Sequence, residues 1–255
     1  MQNKKPLKKQ QQNNDNKRYV RIMWVSYLCV LFLIAIFFTM LSFGWLGFMP
    51  TFEELENPKA NLATEVYADS GELLGYIGIQ NRSNVNYKDI SPNMINALIA
   101  TEDARFREHS GIDARSLFRV LTKTILGGHK SSGGGSTLTQ QLAKNLFPRE
   151  KKSAVGTVYA KLKEWIVAIK LERNYSKDEI LSMYLNTVDY GSNAFGIKAA
   201  SHTFFTKLPS ELEVEEAAVL VGLLKAPTTY NPVRNPENAL KRRNTVLSQM
   251  EKYGY

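Results

Sequence analysis

The sequence predicts a mostly α-helical domain with a small β-containing neck, preceded by one transmembrane helix. Three observations support this prediction: an uncharged apolar stretch near the N-terminus, two short β-rich segments around a turn signal, and helical periodicity with capping signals from Ser91 onward. The chain has 255 residues, of which 44% are hydrophobic and 22% are charged. That length and composition fit one globular domain with an appendage.

Residues 1–21 form a basic tail. They carry seven lysines and arginines against the single acid Asp15, which is a net of +6 out of the +9 of the whole chain. Glutamine, asparagine and lysine dominate the tail, so it is expected to be disordered. Because the excess charge is concentrated beside an apolar stretch, we interpret it as a signal of membrane orientation and expect no nucleic-acid partner.

Residues 22–49 are predicted to cross the membrane. No charged residue occurs from Ile22 to Phe52, and the stretch is long enough to cross about 30 Å of hydrocarbon. A cleaved signal peptide is the alternative, but its apolar core is shorter, at about 7–15 residues, and precedes a small-residue cleavage site. The positive-inside rule predicts a cytoplasmic N-terminus, with everything after about Pro50 on the outer side.

Residues 50–90 are expected to form an extended neck, and residues 91–255 a helical domain. The segment 68–71, Ala-Asp-Ser-Gly, is a turn signal between the β-rich segments 65–67 and 73–77. A helix starts after Ser91-Pro92, and the capping box that begins at Ser176 opens another that runs to about Asp189. Further helices are predicted at about 113–126, 136–147, 154–173, 212–224 and 236–252.

Several kinds of chemistry are excluded by composition. The single cysteine, Cys29, rules out an intramolecular disulfide framework and a cysteine-built zinc site. The three histidines lie far apart in sequence with no HExxH pair, and no GxGxxG or GxxxxGK[ST] phosphate loop is found. We therefore expect no metal site built from these residues and no organic cofactor.

Glu102 is an unusual residue on the first predicted helix of the domain, from Pro92 to His109. It lies in the middle of the apolar stripe formed by Ile95, Leu98, Ile99 and Phe106, and His109 lies on the same stripe. A desolvated carboxylate has a raised pKa, as a general base or acid requires. An equally weighted alternative is a structural glutamate satisfied by an arginine or by helix N-termini.

Two other segments carry polar residues of interest. Residues 133–145 form a glycine loop that enters an amphipathic helix, which could bind an anion through hydroxyls, amides and Lys144, although a flexible connection is the commoner use of such a loop. The helix at 154–173 has an apolar stripe that includes Val158, with Glu164 on the opposite, partly apolar side. If that second face is also covered, Glu164 faces a groove or a partner. By pattern alone, the favoured prediction is a surface residue beside Lys161 and Lys163.

Five segments resemble the motifs of the family 51 peptidoglycan glycosyltransferases. Residues 102–111 resemble EDxxFxxHxG, and residues 134–145 resemble GGSTxTQQLxKN. Residues 161–164 resemble (R)KxxE, with Ala160 in place of the arginine, and the basic loop 148–152 precedes them. Residues 184–197 resemble the fourth motif, with Ser-Asn-Ala at 192–194 where a glycine is frequent. Residues 217–250 resemble the fifth.

The resemblance implies a lysozyme-like glycosyltransferase domain that polymerises lipid II at the outer face of the inner (plasma) membrane. It implies that Glu102 is the general base and that Glu164 assists departure of undecaprenyl pyrophosphate, either directly or through a divalent cation such as Mg²⁺. The substrate-binding residues implied are Asp103, Phe106, His109, Ser136, Thr139, Gln140, Gln141, Lys144, Asn145 and Lys161. The partners implied are lipid II, the growing glycan strand, membrane lipid and other cell-wall synthesis proteins.

Two alternative functions accompany this resemblance. An acidic pair on a helical fold also suits a lysozyme-like glycan-cleaving enzyme, and a membrane-anchored scaffold needs no catalytic residue at all. The same architecture occurs in monofunctional transglycosylases and in class A penicillin-binding proteins. Because these residues contain no SxxK or KTG motif, they lack acyl-serine transpeptidase chemistry. The helix still running near Tyr255 favours the N-terminal part of a bifunctional protein.

Overall fold

A computed structural model of the chain describes residues 6–45, 64–67, 69, 73–77, 84–127, 134–147 and 154–255. The chain divides into two compact units, Met1–Met49 and Pro50–Tyr255. Most of the described residues are helical, so the predicted mostly α fold with one N-terminal apolar helix is confirmed.

Helix α1, Pro6–Ser42, makes up the described part of the first unit. Its apolar stretch, Lys17–Ser42, has 26 residues, which at 1.5 Å per residue is about 39 Å and long enough to cross a membrane. The expected disorder of residues 1–21 is wrong for residues 6–21, because the glutamines, lysines and arginines there are good helix formers and continue α1. The helix ends at Ser42 instead of Met49, and Gly44, with a φ of 77°, lies in the turn that follows.

The neck contains the predicted hairpin. Strand β1, Thr64–Tyr67, pairs antiparallel with β2, Leu73–Ile77, and Thr64 faces Ile77. The register shifts between Val66 and Tyr67. Residues 50–63, 68, 70–72 and 78–83 of the predicted neck lie outside the described residues.

The helical domain follows the hairpin. A 3₁₀ turn, Tyr87–Asp89, precedes the first of its helices, and a second 3₁₀ turn, Pro209–Glu211, precedes α8. The α-helices are α2 Pro92–Glu102, α3 Ala114–Gly127, α4 Leu138–Leu146, α5 Ala154–Asn174, α6 Lys177–Thr187, α7 Ile197–Phe205, α8 Val214–Lys225 and α9 Pro236–Lys252. Helix α7 was not predicted, since its N-cap Gly196 offers no side-chain cap that could mark its start.

The first helix of the domain is shorter than predicted. Helix α2 ends at Glu102 instead of continuing to His109, because Asp103 leaves helical geometry with a φ of −157°. Its carboxylate accepts hydrogen bonds from the backbone N–H of Leu138 and from His109 instead of facing solvent on a helix surface. The chain therefore turns back after Glu102, which places that side chain at the end of a helix.

Two helix clusters form the core. Helices α2, α8 and α9 pack against one another, and α4 packs against α5 and α6. The largest side chains of this core that are fully buried are Phe106, Met94, Leu98, Leu138, Leu142, Leu171, Ile180, Leu181, Tyr184 and Tyr190. Helix α2, which ends at Glu102, and helix α4, which follows the glycine loop, thus belong to different clusters.

Helix α5 buries the face opposite to the predicted one. Val167, Ala168 and Leu171 are buried, whereas Val158 of the predicted stripe is 63% exposed. The helix is apolar around most of its circumference, so periodicity could not decide which face contacts α4. The buried face is the one that carries Glu164.

Candidate active site

An open cleft of about 960 Å³ lies among the end of α2, the start of α3, the loop before α4, and helices α8 and α9. Its charged lining residues are Glu102, Asp103 and Asp113 on the acidic side and Arg105, Arg115, Arg119, Lys225, Arg242 and Lys252 on the basic side. Cations outnumber carboxylates two to one, so the cleft favours an anionic ligand.

Glu102 presents its carboxylate to this cleft from the last residue of α2. The side chain is 20% exposed, and its Oε2 accepts a hydrogen bond of 3.0 Å from the Nε2 of Gln141. Its Oε1 lies 3.8 Å from the Nη2 of Arg242, which projects from α9. Glu102 thus has an amide donor on one carboxylate oxygen and a guanidinium near the other.

Gln141 is held in turn by a buried tyrosine. The hydroxyl of Tyr184 on α6 donates to the Oε1 of Gln141 over 3.0 Å, and Tyr184 is only 2% exposed. Burial, together with the negative charge of Glu102, raises the pKa of Tyr184 well above its ordinary value, so the hydroxyl stays protonated.

Asp103, Phe106 and His109 stabilise the turn after Glu102. The Nε2 of His109 lies 3.0 Å from the Oδ2 of Asp103, and the rings of Phe106 and His109 meet edge to face at 6.1 Å between centroids. The ammonium of Lys177 lies 4.3 Å from the centre of the Phe106 ring. Asp103 lines the cleft, but Phe106 and His109 are packed behind it.

The glycine loop before α4 is held from inside the domain. The side chain of Thr137 caps α4 by accepting the N–H of Gln140, while its hydroxyl and the Gln140 amide both donate to the carbonyl of Gly111. Gly111 has a φ of 88°, and a Cβ there would lie 3.0 Å from the backbone of Ala168, so only glycine fits. Thr139 donates to Glu172 on α5.

The residues of this loop and helix that were predicted to bind substrate therefore separate into three groups. Ser136 and Gln141 line the cleft, Thr139 and Gln140 are buried behind it, and Lys144 and Asn145 lie on an exposed face that does not line it. The anion cradle expected in this segment stays a prediction, and Ser136 and Gln141 are its side chains that line the cleft.

Glu164 is buried, with 5% of the residue exposed, so the expected surface position is wrong. The ammonium of Lys161 donates to its Oε2 over 3.0 Å and also to the hydroxyl of Ser136 over 2.8 Å. Because Ser136 lines the cleft, the Lys161–Glu164 ion pair reaches the cleft edge through this hydroxyl. Sequence periodicity could not show this, since it assigned the wrong inward face to α5.

A second charged pair, Arg105–Asp113, is also part of the cleft lining. Burial alone would raise the pKa of Asp113, but hydrogen bonds from Ser116 and the guanidinium of Arg105 outweigh it and lower the pKa to about 2. Asp113 also accepts the backbone N–H groups of Arg115 and Ser116 at the start of α3. Its carboxylate thus joins α3 to the turn that follows Glu102.

Arg105, Tyr184 and Arg242 were not among the predicted site residues. Arg242 and Tyr184 fall within segments that resemble family motifs, but nothing in their local sequence shows that they face Glu102. Only the packing of α6 and α9 brings them there.

A divalent cation was one route by which Glu164 was expected to act. Among the described residues, there is no group of three or more histidine, cysteine, aspartate or glutamate side chains able to hold a metal ion. The Oε2 of Glu164 accepts a hydrogen bond from the Lys161 ammonium.

Comparisons with known proteins identify relatives over most of the chain. A protein-family model described as Transglycosylase matches residues 70–251. Penicillin-binding protein 1A of Aquifex aeolicus is 42% identical over 228 residues, covering 87% of this chain and 30% of that protein. Penicillin-binding protein 1F of Bacillus subtilis is 44% identical over 193 residues, covering 76% and 26%, and penicillin-binding protein 1A of Escherichia coli is 40% identical over 207 residues, covering 81% and 24%. The chain therefore spans less than a third of the length of each of these relatives.

Proposed function

This chain belongs to the transglycosylase family, and we propose on that premise that it is a peptidoglycan glycosyltransferase of cell-wall biosynthesis. It polymerises lipid II into β-1,4-linked glycan strands and releases undecaprenyl pyrophosphate. The observation that carries this proposal is the Glu102 carboxylate, which opens into a cationic cleft and contacts both Gln141 and Arg242.

The proposed reaction is an inverting displacement with Glu102 as general base. The 4-hydroxyl oxygen of the GlcNAc of an incoming lipid II attacks C1 of the MurNAc at the reducing end of the growing strand. The bond from C1 to the pyrophosphate oxygen breaks, and the hydroxyl proton passes to Glu102. Inversion converts the α-linked donor into a β-1,4 linkage.

The leaving pyrophosphate needs positive charge, which the cleft supplies. Arg115 and Arg119 on α3 are exposed and line it, and fixed cations stabilise the charge that develops on a departing phosphate. At the loop before α4, the Lys161 ammonium donates to both Glu164 and Ser136. We assign Glu164 the role of orienting the Lys161 ammonium, which acts on the leaving group.

The proposed location is the outer side of the inner membrane. Helix α1 is long and apolar enough to cross a bilayer once, and the basic residues of the tail favour a cytoplasmic N-terminus. A membrane-anchored enzyme meets a substrate that carries an undecaprenyl chain within the same bilayer. Membrane lipid, lipid II and the glycan strand are thus its proposed contacts, with other cell-wall synthesis proteins as further partners.

The experiment that tests the function is lipid II polymerisation by detergent-solubilised protein, with and without Mg²⁺. Removal of a general base is expected to lower the rate at least about 100-fold, so Glu102→Gln should form almost no polymer. Glu108→Gln is the matched control, because Glu108 lies in the same turn with 62% of its side chain exposed and does not line the cleft. It should polymerise at the wild-type rate.

The same samples are also incubated with mature glycan strands. Fragments from strands without polymer from lipid II would identify a glycan-cleaving enzyme. Full polymerising activity in a folded Glu102→Gln variant would remove Glu102 from catalysis. A folded wild type that is inactive on both substrates would favour the scaffold.

A further inference from the structure

A chain of two hydrogen bonds runs from the core of the domain to Glu102. The buried Tyr184 hydroxyl on α6 donates to the Oε1 of Gln141 on α4, and the Nε2 of Gln141 donates to the Oε2 of Glu102 at the end of α2, each over 3.0 Å. Three separate helices are thus connected through one amide group. We call this chain the Tyr184–Gln141–Glu102 relay.

The direction of both hydrogen bonds follows from the chemistry of the groups. An ionised carboxylate can only accept, so the amide of Gln141 must present Nε2 to Glu102 and Oε1 to Tyr184. An amide oxygen can only accept as well, so the Tyr184 hydroxyl must donate. Whenever Glu102 is ionised, every donor in the relay therefore points toward its carboxylate.

The relay also distinguishes the two oxygens of Glu102. Oε2 accepts the amide N–H of Gln141, whereas Oε1 lies 3.8 Å from the Nη2 of Arg242, and the residue lines the cleft. A carboxylate that is held through one oxygen keeps the other oriented toward the substrate. A base must lie within hydrogen-bond reach of the proton it removes, so this orientation bears directly on the rate.

We infer that Tyr184 is a positioning residue for the reaction proposed above: through Gln141 it holds the Glu102 carboxylate so that Oε1 takes the substrate proton. The expected effects on the reaction rate rest on the proposed function. The expected effect on the ionisation of Glu102 rests on the geometry alone. A hydroxyl that donates to an amide oxygen polarises the amide and strengthens its N–H donor. Loss of that hydroxyl weakens the support of the ionised carboxylate.

Other charged groups face Glu102 and stay unchanged in the test. Arg242 on α9 lies 3.8 Å away, and Asp103 is the next residue in the chain. Arg105 and Lys225 line the same cleft from the turn after α2 and from the end of α8. Because substitution of Tyr184 alters none of these charges, a change in the titration of Glu102 reports on the relay.

The primary experiment compares Tyr184→Phe with the wild type in the lipid II assay across pH. We expect kcat to fall about tenfold with little change in KM, and the acidic limb of the kcat profile to move up by about half a pH unit or more, because the carboxylate loses part of its hydrogen-bond support. Tyr190→Phe is the matched control: Tyr190 is fully buried in the same segment, and its hydroxyl has no hydrogen-bond partner among the described residues. It should retain the wild-type kcat and pH profile.

A second measurement does not depend on substrate. Glutamate carboxyls labelled with ¹³C are titrated by NMR, and the Glu102 signal is assigned by its loss in Glu102→Gln. The pKa of Glu102 should rise in Tyr184→Phe and stay unchanged in Tyr190→Phe. Replacement of Tyr184 by 3-fluorotyrosine, whose hydroxyl is more acidic and donates more strongly, should lower it. This opposite shift also serves as the test if the phenylalanine variant does not fold.

The outcomes separate this inference from the proposed function. An active wild type with the same kcat, pH profile and Glu102 pKa in Tyr184→Phe would overturn the inference and leave the function intact. A loss of thermal stability and rate without any shift in the Glu102 pKa would mean that Tyr184 is only structural, which also overturns it. An inactive wild type would remove the function, and the NMR shifts alone would then decide on the relay.

Discussion

At the scale of a single residue, Asp113 is a buried carboxylate whose charge is stabilised by its hydrogen-bond partners. It is 2% exposed and accepts hydrogen bonds from Arg105, from Ser116 and from the first backbone N–H groups of α3. Together these donors stabilise the charged form more than burial disfavours it. The wall of the cleft that carries Arg115 and Arg119 is thus fixed through one side chain.

Asp113→Asn is expected to destabilise the domain by about 2 kcal/mol at neutral pH, the free energy that corresponds to a pKa lowered from 3.8 to about 2. Because the pKa is lower in the folded state, this contribution is complete above about pH 4 and is lost as the pH falls toward 2. Denaturant unfolding at pH 7, 4, 3 and 2 measures it. The wild type should lose more stability than Asp113→Asn over the acidic range, and parallel losses would contradict the assignment.

Residues whose role depends on a single helix could be predicted from sequence, and residues whose role depends on packing could not. Glu102 was singled out because a carboxylate interrupts an apolar stripe of one helix, a pattern that gave equal weight to a catalytic and a structural role. Arg242 and Tyr184 reach it from helices far along the chain, so no local pattern indicates their contact. Glu164 was expected on the surface because Lys161 and Lys163 are its neighbours. Its helix is apolar on two sides, and only contact with a neighbouring helix decides which side is buried.

At the scale of a secondary-structure element, the start of α6 is secured by a complete capping box. The Ser176 hydroxyl accepts the N–H of Glu179, and the Glu179 carboxylate accepts the N–H of Ser176. Ser176→Ala should lower the stability by about 1 kcal/mol and leave the polymerisation rate per folded molecule unchanged, since Ser176 does not line the cleft. Thermal unfolding measures the loss. Ser248→Ala, at an exposed position inside α9, should show no such loss.

Gly222 allows α8 and α9 to approach closely beside the Glu102 carboxylate. A Cβ at Gly222 would lie 3.1 Å from the Cγ of Arg242, closer than side chains normally pack. Gly222→Ala gains about 1 kcal/mol of helix propensity but pushes Arg242 away from Glu102. We therefore expect little change in melting temperature and a several-fold lower polymerisation rate.

A double-mutant cycle tests whether this effect acts through the arginine. In an Arg242→Ala background, the addition of Gly222→Ala should cause no further loss of rate, because the displaced group is already absent. An equal loss in both backgrounds would mean that Gly222 matters for another reason.

The boundaries of the helices show which structural features can be predicted from the local sequence. The capping box and the proline after Ser91 marked the starts of α6 and α2 to within one residue, because caps are chemical features of the local sequence. The end of α2 was predicted seven residues too late. Its termination depends on the Asp103 carboxylate binding the backbone N–H of Leu138, a contact between segments far apart in the chain.

At the scale of the whole molecule, the distribution of charge is as informative as its total. Two thirds of the net charge of +9 belongs to residues 1–21, directly before the uncharged part of α1 that begins at Ile22. Within the domain, six basic residues line the cleft: Arg105, Arg115, Arg119, Lys225, Arg242 and Lys252. The first group is expected to orient the protein in the membrane, and the second to bind an anionic substrate.

The orientation of the chain can be measured with single cysteines, because Cys29 is the only native one. In a Cys29→Ser background, a cysteine is introduced at Asn13 or at the exposed Glu237, and spheroplasts are treated with a membrane-impermeant maleimide. The basic tail should stay on the cytoplasmic side because of the positive-inside rule. Glu237→Cys should therefore react in intact spheroplasts, and Asn13→Cys only after permeabilisation. The reverse pattern would place the cleft in the cytoplasm, away from the outer face at which glycan strands are proposed to grow, and would contradict the proposed location.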